Sequence, residues 1–381
     1  MLFYLSQLIL AQVKDTPWAG SLSGLRVLQY ITFRSAGAAI TALVLSWWLG
    51  PKVIVWLRQL KFGQHYADKA EEVGGLARVL SKKGTPTMGG LLMVLVLDLS
   101  ALLWARWNAL ILLTLLSLIV LAALGFYDDY LKVTQQDHRG ARSHVKLWIQ
   151  SALALFIGIY LWMLPQTETL ITEIMVPFYK YPVLRGAVEV GLMVTVLSIV
   201  GSSNAVNLTD GLDGLAIGCT LIVALVFLIM TYIAGNAIYA RYLQVPFVSG
   251  AGELTVFCAA MIGAGLGFLW FNCHPAQMFM GDTGSLALGG VLGIIAVLIH
   301  QPFVLVIAGG VFVAEAGSVL LQTLWFKYTR ARTGTGQRLF RMAPLHHHFE
   351  KLGWYESQVV TRFYILGVLF ALIALSNLKL R

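Results

Sequence analysis

Asp128, Asp129, Asp210, Asp213 and Asp282 stand at or just beyond the ends of long apolar runs, in a chain of 381 residues with only 18 acidic ones. Carboxylates gathered at a water interface supply the oxygen ligands that a hard divalent cation requires, and Mg²⁺ in turn suits a diphosphate substrate. The expected chemistry is phosphoryl transfer at a bilayer surface.

The segments around these acids add further polar groups. Gly125-Phe-Tyr-Asp128-Asp129-Tyr-Leu-Lys132 closes an apolar run with two adjacent acids. Acids at a helix C-terminus oppose the macrodipole, so a bound cation, Lys132 or both should compensate them. Asn204-Ala-Val-Asn207-Leu-Thr-Asp210-Gly211-Leu212-Asp213-Gly214 is a turn whose amides, hydroxyl and carboxylates can hold a nucleoside or support a metal. It lacks the twelve-residue, Glu-terminated pattern of an EF-hand. In Asn272-Cys-His-Pro-Ala-Gln-Met-Phe279-Met-Gly281-Asp282-Thr-Gly-Ser285, Asp282 precedes a helix start, where an acid also serves as a cap. Phe279 can stack on a base there, and Asn272 can hydrogen-bond its edge. Lys82 and Lys83 precede Gly84-Thr-Pro-Thr87-Met-Gly-Gly90, a basic pair and hydroxyls at a helix start, which suits a phosphate. Pro344-Leu-His346-His347-His348-Phe-Glu350 suggests phosphate contact or proton transfer rather than zinc, because adjacent residues point to different faces and no Cys lies nearby.

These segments need elements to carry them. Hydrophobic residues make up 58% of the chain and charged ones 12%, with a mean hydropathy of +0.76. That is far more apolar than soluble domains, which run to ~45–50%. Apolar runs of about 20 residues are long enough to cross ~30 Å of hydrocarbon as helices, and too long for barrel strands. The expected fold is all-α, a polytopic transmembrane helix bundle of about ten spans near 36–57, 88–106, 108–127, 146–164, 187–203, 213–234, 252–271, 285–300, 303–326 and 360–378. The whole chain, 1–381, reads as one membrane domain. Residues 1–35 form its outer N-terminus, where Met1 to Val13 make an interfacial helix without the marks of a cleaved signal peptide. Cys219, Cys258 and Cys273 have no metal or redox spacing and read as small hydrophobes.

Lys and Arg fix the orientation, since they concentrate on the cytoplasmic side. The odd-to-even loops and the inner end of the first span hold 18 of the 27. Both termini are therefore expected outside, and loops 58–87, 128–145, 204–213, 272–284 and 327–359 in the cytoplasm. All five acids then share one face. The net charge of +9 is partly this topology signal, and the rest suits anionic headgroups and phosphates. An ion-coupled carrier would instead place its charges near the midplane of paired repeats, and no duplicated half is visible. Asp98 and Glu315 fall inside spans, where charge is costly. A structural hydrogen bond is expected for Asp98. Glu315 lies among Gly309, Gly310 and Gly317, so span nine is expected to bend and shape a groove for a lipid tail.

In their order, the segments resemble the polyprenyl-phosphate hexose-1-phosphate transferase superfamily over roughly residues 60 to 380. Gly84 to Gly90 and Pro344 to Glu350 resemble in particular its branch of phospho-N-acetylmuramoyl-pentapeptide transferases. The resemblance implies an inner-membrane enzyme that moves phospho-N-acetylmuramoyl-pentapeptide from UDP-MurNAc-pentapeptide to undecaprenyl phosphate, yielding lipid I and UMP with Mg²⁺ as cofactor. It implies catalytic roles for Asp128, Asp129, Lys132, Asp282 and His346. Asp282 would be the Mg²⁺ ligand, with Asp128 or Asp129 as possible additional ones. Substrate contacts are implied for Lys82, Thr87, Lys146, Asn207, Asp210, Gly211, Leu212, Asp213, Asn272, Phe279, His347 and His348. Membrane lipid is an expected partner, a homodimer is left open, and no nucleic acid is expected. A sister transferase using UDP-N-acetylglucosamine shares the acidic segments, but the triple-His segment argues against it. Asp128 is expected to orient the lipid phosphate rather than to form a covalent aspartyl-phosphate, because a phosphate monoester with a second pKa near ~6 is already largely dianionic at neutral pH.

Overall fold

The computed structural model describes residues 1–14, 20, 22–60, 84–134 and 140–378. It is a helical bundle, with one two-residue antiparallel ladder, β1 (Glu173–Ile174) with β2 (Leu184–Arg185). A short helix α1 (Leu2–Val13) is followed by α2 (Ile31–Gln59), α3 (Gly90–Trp104), α4 (Ala109–Thr134), α5 (Ser143–Met163), α6 (Val188–Thr209), α7 (Leu215–Ala234), α8 (Gly252–Asn272) and α9 (Gly281–Leu298). Then come α10 (Pro302–Ala308), α11 (Gly310–Thr333), the short α12 (Leu345–Lys351) and α13 (Glu356–Ser376).

Eight of these, α2, α4 to α9 and α13, are long and apolar enough to cross a membrane; α10 and α11 meet that test only as a pair, bent by 84° at the break between them, as a broken span or a re-entrant loop is. The second expected span, near 88–106, is shorter than its apolar run. Helix α3 has 15 residues, about 22 Å at 1.5 Å per residue, because the chain before it is extended. Phe279 N donates to Pro86 O at 2.8 Å, Gly89 N to Phe279 O at 2.8 Å and Gly90 N to Met280 O at 2.9 Å. That exchange of backbone bonds ties the start of α3 to the segment before α9.

Helix α9 lies at the centre, with nearly every side chain buried, so it is apolar all round rather than on one stripe. Helix α4 ends against its start. A Cβ at Gly125 would lie 2.2 Å from Asp282 O, so only glycine lets the two backbones meet and brings Asp128 and Asp129 level with Asp282. The far end of the bundle is closed by other contacts. Arg34 meets Glu253 in a buried fork at 2.5 and 2.7 Å, a bidentate geometry that a guanidinium favours. Trp107 N donates to Tyr4 Oη at 3.1 Å, seating α1 against the α3–α4 turn. Phe178 N donates to Asn377 Oδ1 at 2.6 Å just beyond α13. Both ends of the described chain thus sit opposite the acids.

Two intramembrane acids differ from expectation. Asp98 makes no hydrogen bond among the described residues, and its Oδ1 is buried. Span nine does bend, at Gly309, and an apolar groove of about 410 Å³ runs beside it, lined by Leu197, Val206, Phe312, Val313 and Leu320 among others. Glu315, however, faces away from that groove and holds a histidine described below.

Candidate active site

Two adjacent acids on α4 do different work. Asp128 is fully buried; its Oδ2 lies 2.6 Å from Lys132 Nζ and its Oδ1 2.9 Å from Lys146 Nζ, while Ala141 N donates to Oδ1 at 2.7 Å. Lys132, one turn on, is therefore part of the compensation for the acids at this C-terminus. Asp129 turns to the start of α9. Its Oδ1 accepts from Asp282 N at 3.1 Å, and its Oδ2 accepts from Thr283 N and Oγ1 at 2.9 and 2.8 Å. An acid beside the free N–H groups of a helix start is stabilised by them and by the dipole. Asp129 is thus the N-terminal cap of a neighbouring helix.

Asp282 joins the two. Asn207 Nδ2 donates to its Oδ1 at 2.9 Å, while Lys132 and Lys146 each lie 3.1 Å from its Oδ2. Carboxylate oxygens of Asp128, Asp129 and Asp282 all fall within 4.8 Å of one another. This all-oxygen set suits Mg²⁺. All three carboxylates already have partners, Asp129 at the start of α9 and Asp128 and Asp282 in the two lysines, so a cation here would take the place of a lysine on Asp128 or Asp282.

Beyond Asp282 opens a recess of about 130 Å³ lined by Thr87, Asp129, Asn207, Asp210, Gly211, Leu212, Asp213, Asn272, Phe279, Gly281 and Asp282. All but Gly281 had been singled out in the sequence. The volume is below the ~300 Å³ at which small-molecule pockets begin, so the recess takes part of a ligand. Thr87 Oγ1 is buried there without a hydrogen-bond partner among the described residues. Burial, with Asp282, Asp129 and Asp213 nearby, pushes the Asp210 carboxyl up to about 8, so near neutral pH it is largely protonated and less repulsive to phosphate. Asn272 is committed to the fold, its Oδ1 accepting from Gly214 N at 3.1 Å and its Nδ2 donating to Met278 O at 2.9 Å. Lys82 lies outside the described residues.

The three histidines of α12 diverge, as adjacent positions must. His346 is buried, its N donating to Glu315 Oε1 at 3.1 Å and its Nδ1 lying 3.0 Å from Glu315 Oε2. Its Nε2 has no hydrogen-bond partner among the described residues and sits behind Gly211, where a Cβ would approach it to 2.2 Å. His346 thus abuts the wall of the recess from behind. His347 Nδ1 meets Glu350 at 2.8 Å, and burial lowers its pKa, which favours a neutral ring over a fixed countercharge. His348 Nδ1 accepts from Arg341 N at 3.1 Å. Neither ring lines the recess.

Sequence reasoning missed the function of Glu315, because an acid within an apolar span carries no signal of its partner. Thr283 was equally hidden, although its hydroxyl stood in a quoted segment. A second group, Asp213, His274 and Glu356, has ligand atoms within 4.8 Å of one another; Asp213 N donates to Glu356 Oε1 at 2.9 Å and Ala276 N to Asp213 Oδ2 at 3.2 Å. It ties the start of α13 to the turn before α7. Glu315→Gln should keep the backbone bond to His346 but change what its Nδ1 meets, lowering turnover by about 10- to 100-fold with little change in KM, as for partners that orient a site residue. Steady-state kinetics check this, and unchanged turnover would remove the role.

The fold and site define a multi-pass helical membrane protein with a carboxylate and lysine centre at one end of its bundle. Glycosyl transferase family 4 matches residues 111–300, and signature 1 of the phospho-N-acetylmuramoyl-pentapeptide-transferases matches residues 82–94. The chain is 51% identical over 369 residues to the phospho-N-acetylmuramoyl-pentapeptide-transferase of Methylacidiphilum infernorum, covering 96% of this chain and 98% of that one. It is 49% identical over 360 residues to the protein of the same name from Opitutus terrae, covering 94% and 96%. The chain belongs to the phospho-N-acetylmuramoyl-pentapeptide-transferase family.

Proposed function

We propose that the protein transfers phospho-N-acetylmuramoyl-pentapeptide from its UDP carrier to undecaprenyl phosphate, forming lipid I and UMP in peptidoglycan synthesis. Near-full-length likeness to transferases of that name supports the reaction. The observation that carries the chemistry is the meeting of Asp128, Asp129 and Asp282 at one end of the bundle. The distribution of Lys and Arg favours the cytoplasmic face of the inner membrane for that end.

Asp128 and Asp282 would hold Mg²⁺, which supplies positive charge to the diphosphate and to the departing nucleotide. Lys132 and Lys146 lie between the two acids and offset charge on the phosphoryl group in flight. An oxygen of the lipid phosphate forms the new bond to the sugar-bearing phosphorus, and the bond from that phosphorus to the bridging oxygen breaks, its electron pair leaving with UMP. Each oxygen of Asp128 already faces a lysine, so attack by this carboxylate would first have to free it. That favours direct displacement, with Asp128 holding the lysines and orienting the acceptor. The groove beside the bent α10–α11 pair suits the prenyl chain, being apolar and lined from α6 and α11. The recess suits the nucleoside end, with Phe279 at its wall.

Purified protein in undecaprenyl phosphate micelles should release UMP from UDP-MurNAc-pentapeptide, lose that activity on chelation by EDTA and regain it with added Mg²⁺. Release from UDP-N-acetylglucosamine instead would redirect the substrate, and full activity in EDTA would remove the metal.

A further inference from the structure

Asp213 and Glu356 are buried acids to which the transfer assigns no step. Asp213 lines the recess, and Glu356 stands behind it in the first turn of α13. Their side chains are 2% and 4% exposed, whereas that of His274 is 47% exposed and reaches in between them. Its Nδ1 lies 3.0 Å from Asp213 Oδ2 and 3.7 Å from Glu356 Oε2. Asp213 N donates to Glu356 Oε1, and Ala276 N to Asp213 Oδ2. The turn that carries Asp213 is also gripped at the next residue. Gly214, at φ +81°, donates its N–H to Asn272 Oδ1 at 3.1 Å, and its O accepts from Tyr364 Oη, further along α13, at 2.7 Å.

A tie between two helices does not need charge. Well-packed apolar residues in place of a buried ion pair are often neutral or stabilising, and two neighbouring buried carboxylates repel one another. Charge kept at such a cost beside a ligand cavity is a mark of function. What it achieves here is orientation: His274 and Ala276 N set the carboxylate of Asp213, and Glu356 sets its backbone N–H. Resting on the proposed transferase reaction, we propose that Glu356 and His274 are positioning residues for the nucleoside end of the donor. Neither lines the recess; both act through Asp213, holding it in its binding conformation before the nucleotide arrives. A wall fixed in advance loses less freedom on binding, so the donor is held more tightly without a new contact. Transfer itself uses the carboxylates and lysines around Asp282, so the effect belongs to donor binding rather than to turnover.

The test uses the full chain in micelles with Mg²⁺, comparing wild type with Glu356→Ala, His274→Ala and His274→Asn, whose amide offers a donor near the place of the ring Nδ1. Titration calorimetry gives the Kd of UMP, kinetics give kcat and separate KM values for UDP-MurNAc-pentapeptide and undecaprenyl phosphate, and thermal melting follows folding. Glu356→Ala and His274→Ala should each raise the UMP Kd and the donor KM in parallel by about tenfold, the scale of a lost orienting partner, with kcat and acceptor KM within about twofold. His274→Asn should recover most of the loss. In an Asp213→Asn background, His274→Ala should add less than about twofold, because a residue that acts through another is not additive with it. Unchanged UMP binding and donor KM, a loss shared by both substrates and kcat that tracks the melting midpoint, no recovery by asparagine, or full additivity with Asp213→Asn would each overturn the proposal. His274 is half exposed, so its variants decide the matter if Glu356→Ala fails to fold. A wild type that binds UMP but releases none from the donor would defeat the transferase reading instead, while the calorimetry still decided this one.

Discussion

Asp128→Asn and Asp282→Asn should each lower UMP release by about 1,000-fold or more, the scale on which preorganised charge contributes to catalysis. Both acids face Lys132 and Lys146 and lie within reach of one cation. Asparagine keeps the shape and one acceptor oxygen but removes the charge proposed to hold metal and paired with the lysines. The bundle should survive, because both lysines retain some contact with solvent and can turn towards it. Kinetics measured beside thermal melting separate the two effects. Activity persisting in both variants would mean that the reaction occurs elsewhere.

Asp129→Ala should behave differently, with loss of stability as its first effect. Its carboxylate accepts from three donors at the start of α9, and Thr283 is buried. A buried donor left unmade costs about 1–3 kcal/mol, so removal should destabilise the protein by about 3 kcal/mol or more and lower the melting midpoint by several degrees. Activity should fall with it, because Asp282 N is one of those donors and Asp282 would shift. Asp129→Asn, which retains one acceptor, should fall between wild type and Asp129→Ala. Equal melting of all three proteins would show that the cap contributes nothing.

The sequence carried the helical class clearly, because bilayer thickness imposes one length on every span and Lys and Arg mark the loops. It carried the members of the recess almost as well: Thr87, Asn207, Asp210, Gly211, Leu212, Asp213 and Phe279 come from three separate segments and line one cavity. Geometry was less legible. Nothing in Asp128-Asp129 tells which acid faces the lysines, since that depends on α9 arriving beside Gly125. The shortness of α3 was equally hidden, because residues 85–89 pair with a segment almost 200 positions away. Asp98 had been expected to hydrogen-bond and does not among the described residues, a reminder that polar cost in a span predicts pressure for a partner rather than its presence.

The bend at Gly309 has a bearing on traffic. An α10–α11 pair that swings aside leaves the groove proposed for the prenyl chain beside a kinked wall, so a chain too long to be swallowed whole would slide in sideways and keep its tail among neighbouring lipids. Acceptor and product would then come and go by two-dimensional diffusion, with no step that lifts the polyprenyl chain into water, and turnover would follow membrane fluidity as much as chemistry.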